Sequence, residues 1–173
     1  MALWKRLRTL GGLAAAVTAT VVIGAPPAAA SGDYSGLAFI RGGGVFSNDW
    51  DDEGKLSTTR HASSNATCLW QKILWADGRL SWNDIDGIFG DKTQQATKAW
   101  QRDWDVDDDG VVGKDTFAAA GNWLRDIDGN NAVDTYIGTN GSFKVARNGD
   151  GDYTFYDRSG NARVAGYNYL TCS

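Results

Sequence analysis

The sequence predicts an α+β fold, a three-helix core followed by a small antiparallel β-meander. Three features point there. Apolar residues recur with a helical period from about residue 65 to 125, the period falls to two beyond residue 140, and Gly-containing turns punctuate both regions. The chain divides into a signal peptide over 1–30, an irregular segment over 31–64, a helical domain over 65–125 and a β extension over 126–173.

The opening "MALWKRLRTLGGLAAAVTATVVIGAPPAAA" starts basic with Lys5, Arg6 and Arg8, turns apolar and ends Ala28-Ala29-Ala30. That order reads as a secretory signal peptide cut after Ala30. A retained anchor fits less well, because Gly and Pro interrupt the run and small residues close it. No later apolar run is long enough for a bilayer, so from Ser31 onward a soluble, secreted, monomeric chain is expected, with no membrane contact after cleavage. Without the three signal cations, 14 Lys and Arg face 21 acidic residues, a net charge of −7. Such a surface argues against nucleic acid or an anionic polymer as partner and suits a neutral or mixed-charge one.

Residues 31–64 are rich in Gly, Ser, Asp and Asn, with scattered aromatics and no period, and read as a poorly ordered wrapping segment. In "SSNATCLWQKILWADG", Ala66, Leu69, Trp70, Ile73 and Leu74 follow the spacing of one helical face, with Ser64 or Asn65 as cap and Gly78 as stop. A second helix starts at Asp91, which has capping-box spacing to Gln94, and shows Thr93, Ala96, Thr97, Trp100 and Trp104 on its apolar face. A third runs from about Asp115 through Phe117 and Ala120 to Leu124. Beyond them, 142–146, 152–157 and 162–170 alternate like three strands, separated by "RNGDG" and "RSGN" turns. Cys68 and Cys172, the only cysteines, most simply form one disulfide in a secreted chain, closing a loop worth about 4–5 kcal/mol.

The helices are joined by a repeated turn, "DIDGIFGDKT" and "DDDGVVGKDT". Gly87 and Gly110 accept backbone angles other residues resist, Asp86 and Asp109 offer side-chain acceptors to nearby amides, and Gly90 and Gly113 lead into the next helix. Ile88, Phe89, Val111 and Val112 are then expected to plug the core. The repeat is thereby explained as architecture before any ligand is invoked.

Quoted together, "LWQKILWADG…DIDGIFGDKTQQATKAWQ…DDDGVVGKDTFAAAG" resembles the peptidoglycan-binding-like domain of bacterial cell-wall proteins, over roughly 66–124. Gln71, Asp86, Gly87, Phe89, Gly90, Thr93, Ala96, Trp100, Gln101, Asp109, Gly110, Gly113 and Thr116 occupy that family's positions in order. Trp70 stands where Leu is usual, Trp100 where Phe is, and Asp91 and Lys114 replace a frequent Pro. With its Asp-over-Glu, Arg-rich habit, the chain looks like a small secreted actinobacterial protein. The resemblance implies a non-catalytic role, with peptidoglycan, as stem peptide or glycan, for partner and a place outside the cell or at its wall.

Trp75, Arg79, Trp82 and Asn83 flank the first turn without being needed by the helical pattern, and Trp104 closes the second helix. Indole faces stack on saccharide rings and Arg79 suits a carboxylate, so these five are the candidate ligand contacts. The competing reading has the tryptophans covering the core or meeting the β extension. Asp105, Asp107 and Asp109 open like a Ca²⁺ loop, but its twelfth position is Thr116 rather than Glu, and "DIDGNN" at 126–131 is a weaker match, so no metal is expected. No cofactor is expected either. One His61 and one Glu53 supply no zinc ligand set. A carboxylate pair for glycoside hydrolysis is formally available but unsupported. A protein-interaction or inhibitor module, using Tyr153, Phe155, Tyr167 and Tyr169 as an apolar contact patch, is the alternative.

Overall fold

The computed structural model describes residues 34–172, so the signal peptide expected over 1–30 lies outside the described residues. Three helices, α1 (Asn65–Ala76), α2 (Asp91–Asp103) and α3 (Lys114–Gly121), precede β1 (Leu124–Arg125), β2 (Thr135–Ile137), β3 (Ser142–Arg147), β4 (Tyr153–Tyr156) and β5 (Ala162–Val164). The fold is α+β, and its five strands form one antiparallel sheet in sequence order. Among the described residues no helix is long and apolar enough to cross a membrane.

α1 is central. Ser64 caps it, its side chain accepting from the Thr67 amide, and Gly78 follows its end at φ +70°. Eleven of its twelve residues are buried, so the expected single apolar face is a core on nearly every side. The reason lies beyond the helical domain: α2 covers one flank, while the sheet and the last residues of the chain cover others. Trp70 and Trp100 meet edge to face with centroids 5.1 Å apart, and Trp70 meets Phe117 at 5.6 Å. Both buried indole N–H groups find acceptors, Trp70 donating to Thr97 Oγ1 and Trp100 to Asp77 Oδ2. Asp77 Oδ2 also accepts from the Tyr136 hydroxyl at 2.8 Å, joining the end of α1 to β2.

The sheet departs from the expected three strands. β1 and β2 have two and three residues, too few to show alternation, and they form because Arg125 and Thr135 meet across a loop. The strand expected over 162–170 stops at Val164. From there the chain turns along the start of α1, where the Ala66 and Asn65 amides donate to Gly166 and Tyr169 carbonyls. Asn65 Oδ1 then accepts from the Thr171 and Cys172 amides, and the Cys68–Cys172 disulfide closes this seam. α3 ends at Gly121, and Leu124 belongs to the sheet rather than the helix.

Residues 34–64 lack regular elements apart from a 3-10 turn at Phe46–Asn48, yet they are packed rather than loose. Ile40, Trp50 and Leu56 are fully buried, and single bridges pair Phe39 with Gly166, Arg41 with Asp152, Leu56 with Val112 and Ser63 with Ile88. The segment borrows its order from partners distant in sequence, which composition does not register.

Candidate functional site

The repeated turn is one device used twice. Gln71 on α1 accepts the Asp86 and Gly87 amides at 3.0 and 2.7 Å and donates to Asp86 Oδ1, the Ile88 carbonyl and Thr93 Oγ1. Gln101 on α2 accepts the Gly110 amide at 2.8 Å and donates to Asp109 Oδ1, the Val111 carbonyl and Thr116 Oγ1. Asp86 and Asp109 accept the amides two residues on, as expected of Asx turns. Gly87 and Gly110 have φ +76° and +79°. Gly90 and Gly113 instead cap α2 and α3 in extended conformation without side-chain bonds, so the expected Asp91–Gln94 capping box does not form. Of the expected core plugs, Phe89 and Val112 are buried, Val111 is half-buried and Ile88 is 44% exposed.

The two turns differ in what surrounds them. Gly87 lies under Leu170 and against the Ser64 carbonyl, and the Phe89 amide donates to the Ala62 carbonyl, so residues 62–64 before α1 and Leu170 after the sheet seal the first turn. The second opens on a cleft of about 440 Å³ lined by both charges, including Lys55, Lys114, Asp107 and Asp115, with Tyr34 at its rim.

The five candidate contacts divide between two places. Trp75 and Trp82 meet edge to face at 4.8 Å, and Trp82 is 38% exposed. Lys72, unremarked in the sequence, lies beneath them. It is 3% exposed, its Nζ is 4.9 Å from the Trp82 ring and 5.1 Å from Phe143, and it donates to the Tyr156 carbonyl at 2.7 Å. Burial pulls its pKa down to about 8, against the attraction of Asp157. Asn83 is exposed beside Trp82, and its carbonyl takes the Arg158 guanidinium at 2.6 Å. Arg79 turns away to pair with Asp103 at the end of α2. Trp104 is half-buried between Trp100 and Trp123, at 5.8 and 4.9 Å, with Arg125 over Trp123. Trp123 is missed in the sequence because it falls inside a third helix expected to reach Leu124, whereas α3 ends at Gly121.

The acidic residues of the second turn are placed as follows. Asp105, Asp107 and Asp109 line one cleft without gathering at a common point, and Asp109 Oδ1 is engaged by Gln101 and the Val111 amide. Among the described residues, the carboxylates that do gather are Asp126, Asp128 and Asp134, with oxygens within 4.8 Å of one another. Their oxygens already close the loop: Asp126 accepts the Gly129, Asn130 and Asn131 amides, and Asp134 Oδ2 accepts those of Ile127 and Asp128. The apolar patch expected over Tyr153, Phe155, Tyr167 and Tyr169 does not form, since the first three are buried and Tyr169 alone of the four is exposed. Tyr153 donates to Asp49 and Tyr167 to Glu53, so their polar ends are spent inside the fold.

The three-helix unit with its glutamine-clamped Asp-Gly turns is the part of the chain that is similar to a known family. Residues 64–120 match the family model described as a putative peptidoglycan binding domain, which covers α1, α2 and most of α3 and stops before the sheet. No curated protein and no solved structure matches the chain.

Proposed function

We propose that this protein is a secreted, non-catalytic binder of peptidoglycan, held at the cell wall through the face around Trp75 and Trp82. The observation that carries the reading is the family match over 64–120, whose turn and clamp residues all stand in their places. The wall location is supported by that domain together with the Cys68–Cys172 disulfide, a bond kept in oxidising compartments. Trp82 supports the choice of face. Its exposed indole is braced by Trp75 and Lys72, so a sugar ring would stack on a surface already ordered.

The test is a pull-down of the chain from Ser31 to Ser173 on purified insoluble peptidoglycan, beside Trp82→Ala. Retention that the substitution weakens, with unchanged circular dichroism, supports the reading. Absence of retention at low and moderate salt overturns it. Release of soluble fragments from dye-labelled peptidoglycan would overturn the non-catalytic part.

A further inference from the structure

The turn between β2 and β3 carries Asn140 followed by Gly141 and lies beyond the family match. It is seated on the end of α1. The Thr139 amide donates to Asp77 Oδ1, the Asn140 amide to the Ala76 carbonyl and the Gly138 amide to the Gly141 carbonyl, all at 2.8 Å. Between these fixed points one peptide unit is left unheld. Among the described residues nothing accepts from the Gly141 amide, and nothing bonds the exposed Asn140 side chain. The chain's other Asn-Gly pair, Asn148 and Gly149, is the opposite case. Asn148 Oδ1 accepts the Asp150 and Asp152 amides, both at 2.9 Å, which locks that side chain into its own turn.

These features select a reaction rather than a ligand. The side-chain amide of Asn is an electrophile for the backbone nitrogen that follows it. The two meet when neither is tied elsewhere and when the next residue, as Gly, has no side chain in the way. We infer that Asn140 is a site of spontaneous deamidation, an ageing switch at the edge of the aromatic face. The Gly141 nitrogen gives its proton to water and attacks Asn140 Cγ. A C–N bond forms, the bond to the side-chain nitrogen breaks, and ammonia leaves behind a cyclic succinimide. Water then opens the ring. Attack at Cγ yields aspartate, whereas attack at the backbone carbonyl yields isoaspartate, with the chain running through Cγ. The net exchange is water for ammonia, without oxidant or reductant.

The consequence for function rests on the wall-binding reading above. A Cβ on Gly141 would lie 3.7 Å from Trp75 Cη2, and Trp75 braces Trp82 at 4.8 Å. Isoaspartate lengthens the backbone by a carbon between the anchored Asn140 amide and the anchored Gly141 carbonyl, and leaves a carboxylate there. The turn must then shift against Trp75, the brace of the exposed indole. Conversion thus weakens the face with the age of the molecule.

The experiment ages the chain from Ser31 to Ser173 in warm, mildly alkaline heavy-oxygen water, beside Gly141→Ala, whose methyl makes only ordinary contact with Trp75. Proteolytic peptides are mapped by mass spectrometry, with isoaspartate resolved from aspartate. Fresh and aged samples of each protein are compared in the peptidoglycan pull-down. Asn140 should take up label at least about tenfold faster than Asn148, and Gly141→Ala should slow its conversion by about tenfold or more. Retention of the wild type should fall as isoaspartate accumulates, while aged Gly141→Ala holds like its own fresh sample. Equal rates at Asn140 and Asn148, or a rate that Gly141→Ala leaves unchanged, overturns the site. Conversion with retention unaltered overturns its link to the aromatic face and leaves the wall reading standing. Absence of retention in the fresh protein overturns the wall reading and that link with it, while the label at Asn140 still decides the reaction.

Discussion

Gln71 holds the Gly87 turn from inside the core, its Oε1 accepting the Gly87 amide at 2.7 Å. Gln71 is 1% exposed, and its amide saturates five partners on the turn and the start of α2. Replacing it by Ala leaves those groups unpaired in a buried site. Gln71→Ala should therefore cost roughly 2–4 kcal/mol, read as a lower urea midpoint with unchanged slope. Gln71→Glu should not rescue, because a carboxylate would face Asp86 Oδ1 and the Ile88 carbonyl in place of a donor. A loss below about 0.5 kcal/mol for Gln71→Ala would show that water replaces the clamp.

The glycines of the turn should separate by position. Gly87 has φ +76°, and a Cβ there would sit 2.2 Å from Leu170 Cδ1 and 3.2 Å from the Ser64 carbonyl. Gly87→Ala should cost about 1–3 kcal/mol. Gly90, extended at φ −90° with no atom within 4 Å of a Cβ, should accept Ala within about 0.5 kcal/mol. Equal losses at the two sites, measured by thermal denaturation, would sink the assignment.

Two buried charges set opposite pH trends. Glu53, fully buried, accepts the Arg41 amide at 2.8 Å and the Tyr167 hydroxyl at 2.5 Å, and burial lifts its pKa from 4.5 to about 7. The fold thus holds a proton that the unfolded chain releases near pH 4.5, so its contribution is full below that pH and is lost as pH rises through 7. The loss is on the order of 3 kcal/mol. Lys72, lowered from 10.5 to about 8, works the other way, and stability should recover as pH rises from 8 to 10.5. Denaturation across pH 4–10 should therefore show a minimum between about 7 and 8, and the fall on its acid side should disappear in Glu53→Gln. A flat profile in the wild type would refute the burial of ionised Glu53 as the cause.

Reduction of the Cys68–Cys172 bond opens a loop spanning 104 residues. The chain-entropy estimate is a loss of about 4–5 kcal/mol, measured as the denaturation shift with added reductant. Because Asn65 also holds residues 171 and 172, protection of their amides from hydrogen exchange should fall without vanishing.

What was legible in the sequence was local. The helical period of α1 and α2, the Ser64 cap, the Asx turns at Asp86 and Asp109 and the positive-φ glycines depend on neighbours a few residues away, and such interactions are written in spacing. The short strands β1 and β2 were not legible, because two or three residues carry no period and their pairing is decided by the loop between them. The same holds for the candidate contacts. Pattern identified Trp75 and Trp82 as surplus to the helices, but not that Arg79 would be drawn to Asp103 or that Lys72 would lie under the indole.

The sequence by itself determined the α+β class, the three helices with their twin turns, and the match to a peptidoglycan-binding domain. Only the tertiary structure decided which surfaces remain open. Leu170 seals the first turn, Tyr153 and Tyr167 spend their hydroxyls on Asp49 and Glu53, and Ala146 and Tyr156 frame a groove on the sheet. The physical reason is that burial is a property of contacts between residues distant along the chain. Local spacing encodes the elements, whereas exposure, charge pairing and concavity arise only when those elements pack.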